Sequence, residues 1–218
     1  MSWLIRTFAS PIGQKVLTAL TGLGLVGFLV MHLLGNLNLY RSEEAINSYA
    51  KVLHDIPGFP LIEAGLVLCF LAHIALVFNL TRINRAARNT DYKVKSTKQK
   101  GTWGRALVST YMGVSGVVVL LFIIVHVGDM RMARGSYDSL YEHIHVVLGV
   151  GWKAALYVVG SAFVGWHLWH GFQSSFRSLG LGHAKYSPLL EKAGMALSIV
   201  LTLGFISIPL WIYFKGGQ

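Results

Sequence analysis

The sequence of 218 residues has little cysteine and little charge. Its single cysteine, Cys69, lies inside an apolar run, so the chain has no disulfide framework and no cysteine-rich metal motif. A CxxCH motif for covalent haem attachment is absent as well, so any haem would be held non-covalently. Only 13% of the residues are charged, whereas 54% are hydrophobic and the mean hydropathy is +0.55. These figures exclude an ordinary soluble domain and indicate an integral membrane protein.

Acidic residues are also scarce, because nine Asp and Glu stand against nineteen Lys and Arg and leave a net charge of +10. A strongly basic chain can indicate a nucleic-acid partner. Here, however, the basic residues fall between long apolar runs, where they are typical of signals for membrane orientation. The N-terminal segment shows no brief apolar core followed by a small-residue cleavage site, so we predict no removed signal peptide. We therefore expect a multi-pass protein that contacts lipid and binds no nucleic acid.

Five apolar runs are each long enough to cross a bilayer. Pro57, Gly58 and Pro60 precede the second run and mark a helix boundary. We predict an all-α integral membrane protein in which residues 1–218 form a single transmembrane domain, a bundle of five membrane-spanning helices. The predicted spans are approximately 16–39, 61–80, 106–128, 152–172 and 189–214.

The basic residues predict the orientation of this bundle. If the N-terminus lies in the cytoplasm, 13 of the 19 Lys and Arg fall on the inner side, eight of them in the segment 81–105. Cytoplasmic loops of membrane proteins carry an excess of these residues. We therefore predict a cytoplasmic N-terminus, and the words outer and inner are used below in the sense of this orientation.

Histidine occurs inside four of the five runs. The first and the third run contain nearly the same phrase, TGLGLVGFLVMH from Thr21 to His32 and SGVVVLLFIIVH from Ser115 to His126. An ionisable side chain at membrane depth costs on the order of 3 kcal/mol on insertion scales, so an intramembrane histidine indicates a functional site.

The four histidines fall at two depths. His32 and His126 lie near the outer ends of their runs. His73 lies roughly 18 Å along the second run and His167 roughly 21 Å along the fourth, both counted from the outer side at the rise of an α-helix. Two histidines that face each other across a helical bundle are what a six-coordinate b-type haem requires. We therefore predict two haem b groups enclosed by the bundle, one for each pair.

Two glycines support this pairing. Gly22 and Gly116 each precede a histidine of the outer pair by ten residues, which places them about 15 Å deeper, at the level of the inner pair. A residue without a side chain leaves room there for a flat macrocycle. Small residues in membrane helices also serve close helix packing, and that alternative stays open.

The remaining histidines are interpreted more simply. His170 lies three residues after His167 on the same helical face, so spacing alone permits either as a ligand. We favour His167 because it lies deeper. The others fall in predicted loops or at interfaces, where we expect an ordinary polar surface role: His54, His143, His145 and His183.

Four motifs carry a resemblance to a known family. They are MHLLGN around His32, AHIALVFN around His73, IIVH ending at His126 and WHLWHGFQSSFRSLG around His167. Together they resemble the five-helix, dihaem cytochrome b subunit of succinate:quinone oxidoreductases and quinol:fumarate reductases, over nearly the whole chain. The resemblance implies that His32 and His126 hold the outer haem and that His73 and His167 hold the inner one. It also implies that Gly171 is the glycine that follows the fourth ligand in this family.

The same resemblance implies a function and partners. The chain would be the membrane subunit of such an enzyme and would pass electrons between a membrane quinone, such as menaquinone, and an iron–sulfur subunit. That subunit and a flavoprotein subunit with covalent FAD would bind at the cytoplasmic face of the bacterial inner membrane. Conversion of the dicarboxylate would belong to the flavoprotein, and this chain has no cysteine cluster for an iron–sulfur centre.

Two features of the sequence bear on proton transfer. Some fumarate-reducing members of the family carry a glutamate two residues before the fourth axial histidine, and a proton path of that kind lacks its acid here because the position is Gly165. Quinone chemistry needs a nearby acid or base, and we predict Glu63 at the outer start of the second run, with His54 in the adjoining segment. Alternatively, Glu63 only helps to start a helix.

Two other classes of function stay open. A cytochrome b subunit of another respiratory dehydrogenase would also use membrane histidines, although such proteins tend to concentrate their ligands on fewer helices. A transporter could use the histidines as a relay without haem, although further polar groups near the midplane would then be expected.

Overall fold

A computed structural model describes residues 3–87, 111–136 and 138–215, with the side chains of residues 4 and 136 left aside. Helices make up 89% of these residues, and no strand occurs among them. The prediction of an all-α fold is therefore confirmed. The six basic residues from Arg88 to Arg105, and the start of the third predicted span at 106–110, lie outside the described ranges.

Eight α-helices follow one another along the described chain. They are α1 (Trp3–Ala9), α2 (Pro11–Asn36), α3 (Glu43–Asp55), α4 (Phe59–Ala86), α5 (Met112–Val127), α6 (Leu140–Leu148), α7 (Gly151–Ser178) and α8 (Ser187–Lys215). Short 3₁₀ turns follow at Leu37–Tyr40 and Ala133–Ser136, and a π-helical turn continues α5 over Gly128–Met132.

Four helices are long and apolar enough to cross a membrane: α2, α4, α5 and α8. Helices α6 and α7 meet the same criterion only together, and their axes are bent by 95° at the break between them. The described chain therefore has four spans, or up to five if this bent pair counts as one. A multi-pass membrane protein is consistent with this result, while the side on which the N-terminus lies stays a prediction.

Local sequence signals explain where the spans begin. Ser10 caps α2, because its side-chain oxygen accepts a hydrogen bond from the Gly13 amide at 3.1 Å, and Pro11 occupies the first turn. Gly58 precedes α4 in the left-handed conformation, with φ of 84°, where a side chain would be strained. The predicted boundary before the second span is therefore confirmed. The glycines of TGLGLVG have the spacing of a dinucleotide-binding fingerprint, but they lie inside α2 and follow a helix, so they do not form that motif.

The segments between the spans are more helical than the sequence suggested. The hydrophilic stretch before Pro57 contains α3, whose Ile46 and Ala50 are buried. Helix α6 packs beside it, and the Asn47 side-chain oxygen accepts hydrogen bonds from two backbone amides at the start of α6, at 2.9 and 3.2 Å. Together α3 and α6 form a helical layer at the outer end of the bundle.

His143 shows where the expectation of a surface role was wrong. It lies in α6 beside Ile144, Val147 and Leu148, all of which are buried, and its own side chain is 0% exposed. Its Nε2 atom donates to the backbone carbonyl of Asp129 at 2.8 Å. A histidine in a short polar segment was interpreted as a surface residue because sequence alone did not show that α6 turns back onto the bundle.

The bundle is built around the contact between α2 and α7. Helix α4 packs against α2, α5 packs against α7, and α8 makes the most extensive contact of all, along α7. In the part of the chain that the structure describes, neither α2 with α5 nor α4 with α7 forms a close helix pair. The helices that carry each predicted histidine pair are therefore not packed directly against each other.

Gly165 allows the close approach of α7 and α8. A side chain built there would overlap Thr202, and the Ser198 hydroxyl donates to the Gly165 carbonyl oxygen at 2.6 Å inside the contact. The space beside Gly165 is therefore filled by α8. This packing gives a physical reason for the glycine.

We expect Gly165→Ala to destabilise the protein by about 1–3 kcal/mol, as overpacking of a close contact does. Thermal unfolding in detergent, followed by circular dichroism, should show a lower midpoint. Gly27→Ala is the matched control, because a methyl group at Gly27 meets nothing within 4 Å. Equal midpoints for the two variants would contradict the packing assigned to Gly165.

Candidate functional site

The outer pair consists of His32 on α2 and His126 on α5. Their ring centroids are 5.7 Å apart and the rings are nearly perpendicular, at 87°. Phe28 stacks on His32 at 5.2 Å, and Phe205 of α8 lies 5.8 Å away on another side of the same ring. The Nδ1 atom of His126 is buried and has no hydrogen-bond partner. A buried polar atom without a partner is costly, and a bound group would remove that cost.

The inner pair consists of His73 on α4 and His167 on α7. The Thr21 hydroxyl oxygen lies 3.1 Å from Nδ1 of His73, and the Ser115 hydroxyl oxygen lies 3.2 Å from Nδ1 of His167. The two halves of the pair therefore have the same local arrangement.

The hydroxyl groups determine which ring nitrogen carries the proton. Thr21 donates its hydroxyl hydrogen to the Leu17 carbonyl at 2.8 Å, and Ser115 donates to the Met112 carbonyl at 2.9 Å. Each hydroxyl oxygen can then only accept from an imidazole N–H, which protonates Nδ1. The lone pair of Nε2 stays available, which is the form in which histidine binds a metal.

Gly22 and Gly116 permit this arrangement by their lack of a side chain. A Cβ atom at Gly22 would lie 3.2 Å from Cε1 of His73, and one at Gly116 would lie 3.3 Å from Cε1 of His167. The structure thus places an inner imidazole against each glycine that we interpreted as leaving room for a macrocycle. Gly171 does not lie against an imidazole in this way, since the nearest atom to a Cβ there would be Cε of Met112 at 3.4 Å, and its predicted role beside a haem stays a prediction.

The four histidines belong to an internal repeat. Thr21 and His73 are 52 residues apart, and so are Ser115 and His167. Every element of the second half of the site follows its counterpart by 94 positions. The corresponding residues are Thr21 and Ser115, Gly22 and Gly116, His32 and His126, and His73 and His167. Sequence reasoning noticed the repeated phrase in α2 and α5 but missed the hydroxyl bonds, and this constant spacing was the signal that could have revealed them.

The repeat also distinguishes His167 from its neighbour. Ser115 and Gly116 both face His167 in the way that Thr21 and Gly22 face His73. His170 is partly buried and makes no hydrogen bond in the described part of the chain. Only His167 therefore repeats the arrangement of the first half.

The donor set fits a haem better than a bare metal ion. No group of three or more His, Cys, Asp or Glu side chains is placed to hold an ion among residues 3–87, 111–136 and 138–215. Two imidazoles alone leave most positions of a metal ion unfilled, whereas a porphyrin supplies the others. His32 and His126 would hold one such group between α2 and α5, and His73 and His167 would hold another between α4 and α7.

Glu63 and His54 have different interaction partners. Both carboxylate oxygens of Glu63 accept from the Arg131 guanidinium at 3.1 Å, in a pair whose side chains are 37% and 59% exposed. His54 lies in α3, where its Nδ1 donates to the Ala50 carbonyl at 2.7 Å and its ring packs on Phe59. No hydrogen bond or ring contact joins Glu63 to His54 within the described ranges. Their predicted role in quinone chemistry stays a prediction.

Comparison with known proteins does not identify the chain. No protein-family model matches the sequence, and searches of curated proteins and of solved structures found no match.

We expect Thr21→Val to weaken haem binding at the inner pair by about 10- to 100-fold, because hydrogen bonds of this kind orient a metal-binding histidine. Ser115→Ala should have the same effect through His167. The measurement is a titration of the haem-free purified protein with haemin, followed in the Soret band. Thr81→Val is the control, since the Thr81 hydroxyl bonds only to its own helix, at Val77. Unchanged affinity in both variants would show that the hydroxyl groups do not position the imidazoles.

Proposed function

We propose that this chain is the dihaem cytochrome b subunit of a succinate:quinone oxidoreductase or quinol:fumarate reductase. It would anchor the enzyme in the membrane and carry electrons between a membrane quinone and the iron–sulfur subunit. The observation that carries the proposal is the repeated arrangement of four histidines as two pairs on four different helices. The resemblance of the motifs around these histidines supports the choice of this family among haem-binding membrane proteins.

The proposal assigns a role to each pair. His32 and His126 hold the outer haem, and His73 and His167 hold the inner haem. When bound, a haem with two histidine ligands supplies one-electron transfer and leaves no position on iron for oxygen or substrate. The protein's own part is to fix the tautomer of the inner imidazoles through Thr21 and Ser115 and to keep the helices of each pair apart.

The inner end of the bundle is suited to a partner. Several basic residues lie at the inner ends of the described helices and in the turn after α7: Arg82, Arg85, Arg177, Lys185 and Lys192. A positively charged surface of this kind favours association with an acidic protein surface. The iron–sulfur and flavoprotein subunits would dock here, next to the inner pair, with FAD and the iron–sulfur clusters held by those subunits.

The outer pair lies on the opposite side of the membrane from these partners. Electrons exchanged with a quinone there would cross to or from the inner pair. The distance to cross is the length of α2 between Gly22 and His32. This distance is about 15 Å at the rise of an α-helix. Menaquinone or another lipid-soluble quinone is the proposed substrate. Oxidation of succinate and reduction of fumarate would use the same haems and the same subunits.

The experiment is to purify the tagged chain in mild detergent from the cells that produce it. We expect two further proteins to co-purify, one with covalently bound flavin that fluoresces in a denaturing gel and one with iron–sulfur signals in electron paramagnetic resonance. The complex should reduce a quinone with succinate or reduce fumarate with a quinol. A chain that purifies alone, with neither activity in the solubilised membranes, would contradict the proposal.

We also expect His73→Leu to abolish transfer to quinone while the separated flavoprotein still converts succinate with a soluble dye. His170→Leu is the matched control on the same helix as His167, because His170 has no counterpart in the repeat. Assays of both variants with quinone and with the dye give the comparison. Loss of quinone reduction in His170→Leu as well as in His73→Leu would move the fourth ligand from His167 to His170.

A further inference from the structure

A group of three polar side chains lies at the outer end of the bundle, apart from the predicted quinone residues. Lys153 at the start of α7 donates to one carboxylate oxygen of Asp129 at 2.7 Å, and the Tyr157 hydroxyl donates to the other at 3.4 Å. Asp129 lies in the π-helical turn that follows α5. We refer to Asp129, Lys153 and Tyr157 as the outer polar cluster.

The outer polar cluster is enclosed rather than solvated. The side chains of Asp129 and Lys153 are 17% and 24% exposed, which makes theirs the least exposed of the ion pairs in the described ranges. Tyr157 is 6% exposed. Removing an ion pair from water is costly, so such a pair contributes little to stability by itself. A pair of this kind is therefore a candidate for a functional role.

The cluster adjoins the outer histidine pair. The ring of Tyr157 lies 5.7 Å from the ring of His126 and 5.4 Å from that of Phe122, centroid to centroid. Asp129 follows His126 by three residues. Only the ring of Tyr157 would therefore separate a molecule held by the cluster from His126, a proposed ligand of the outer haem.

The chemistry of the three side chains matches both redox forms of a quinone head group. The carbonyl oxygens of a quinone accept hydrogen bonds, which the ammonium of Lys153 and the hydroxyl of Tyr157 can donate. The hydroxyl groups of a quinol donate hydrogen bonds, which the carboxylate of Asp129 can accept. Donors and an acceptor are thus present at one place.

The quinone site predicted from the sequence at Glu63 is more exposed and has no described contact with the outer histidines. Its carboxylate, like that of Asp129, accepts hydrogen bonds at both oxygens, but the pair that it forms with Arg131 is about twice as exposed as that of Asp129 and Lys153. Among the described contacts, none joins Glu63 or Arg131 to a histidine of the outer pair. The position of Glu63 is therefore less suited to hold a head group against the outer haem.

We propose that the outer polar cluster binds the head group of the membrane quinone, with Lys153 and Tyr157 as donors to the quinone and Asp129 as acceptor from the quinol. This inference rests on the proposed function, since it supplies a binding place for the substrate of that function. It differs from the sequence prediction by assigning the site to α5 and α7 instead of the start of α4.

The test is the binding of heptyl-hydroxyquinoline N-oxide, a fluorescent quinol analogue, to the purified complex, measured by quenching of its emission. The paired variant Asp129→Asn with Lys153→Gln removes both charges together, so neither is left buried alone. Because hydrogen bonds to charged groups are lost, we expect its Kd to rise about 10- to 100-fold. Tyr157→Phe, which removes a single oxygen atom, should raise the Kd about 2- to 10-fold.

Controls separate this inference from the proposed function. The exposed pair Lys51 and Asp55 on α3 provides the matched control, since Lys51→Gln with Asp55→Asn removes the same two charges. The reduced-minus-oxidised spectrum of every variant reports whether both haems are retained. If the paired variant does not fold, Tyr157→Phe still decides the question.

Weaker binding in the cluster variants, with both haems retained and the control unchanged, would support the inference. Wild-type affinity in the cluster variants would overturn it and leave the dihaem proposal intact. Loss of binding only in Glu63→Gln would overturn it in favour of the residue predicted from the sequence. A wild-type protein without haem would overturn the proposed function itself, and the inference with it.

Discussion

The structure depends on one constraint, which is that an imidazole inside an apolar helical bundle must have partners for its ring nitrogens. In the inner pair one nitrogen of each ring is bonded to a hydroxyl group whose own hydrogen is already donated to its helix. This fixes the direction of the bond and leaves Nε2 as an acceptor without a partner from the protein. This arrangement, and not the presence of histidine alone, makes the inner pair a candidate for binding a metal-containing group.

The helix packing is consistent with this requirement. The central contact of α2 with α7 holds the two halves of the repeat together, and α8 supports α7 through the close approach at Gly165. The helices that carry each pair are not packed directly against each other, and the two rings of the outer pair reach across with their centroids 5.7 Å apart. Each half fixes its own inner histidine, since Thr21 and His73 belong to the first half and Ser115 and His167 to the second. A cofactor shared across the two halves would then join them at two levels.

The sequence predicted the features that follow from local pattern. Apolar length predicted the spans, the prolines and glycine before α4 predicted its start, and the phrase shared by α2 and α5 pointed to the residues that surround the site. Features that depend on tertiary contacts could not be predicted in the same way. The buried position of His143 and the ion pair of Asp129 with Lys153 arise because α6 and the π-helical turn fold back over the bundle. No local pattern in a polar segment reveals that return.

The most direct test of the account is the number of haems per chain, measured by pyridine haemochrome and by redox titration of the purified protein. The account predicts two b-type haems in the wild-type protein. His32→Leu and His126→Leu should remove the same spectral component, and His73→Leu and His167→Leu should remove the other. A wild-type protein without haem, or four variants that do not fall into these two pairs, would contradict the central claim.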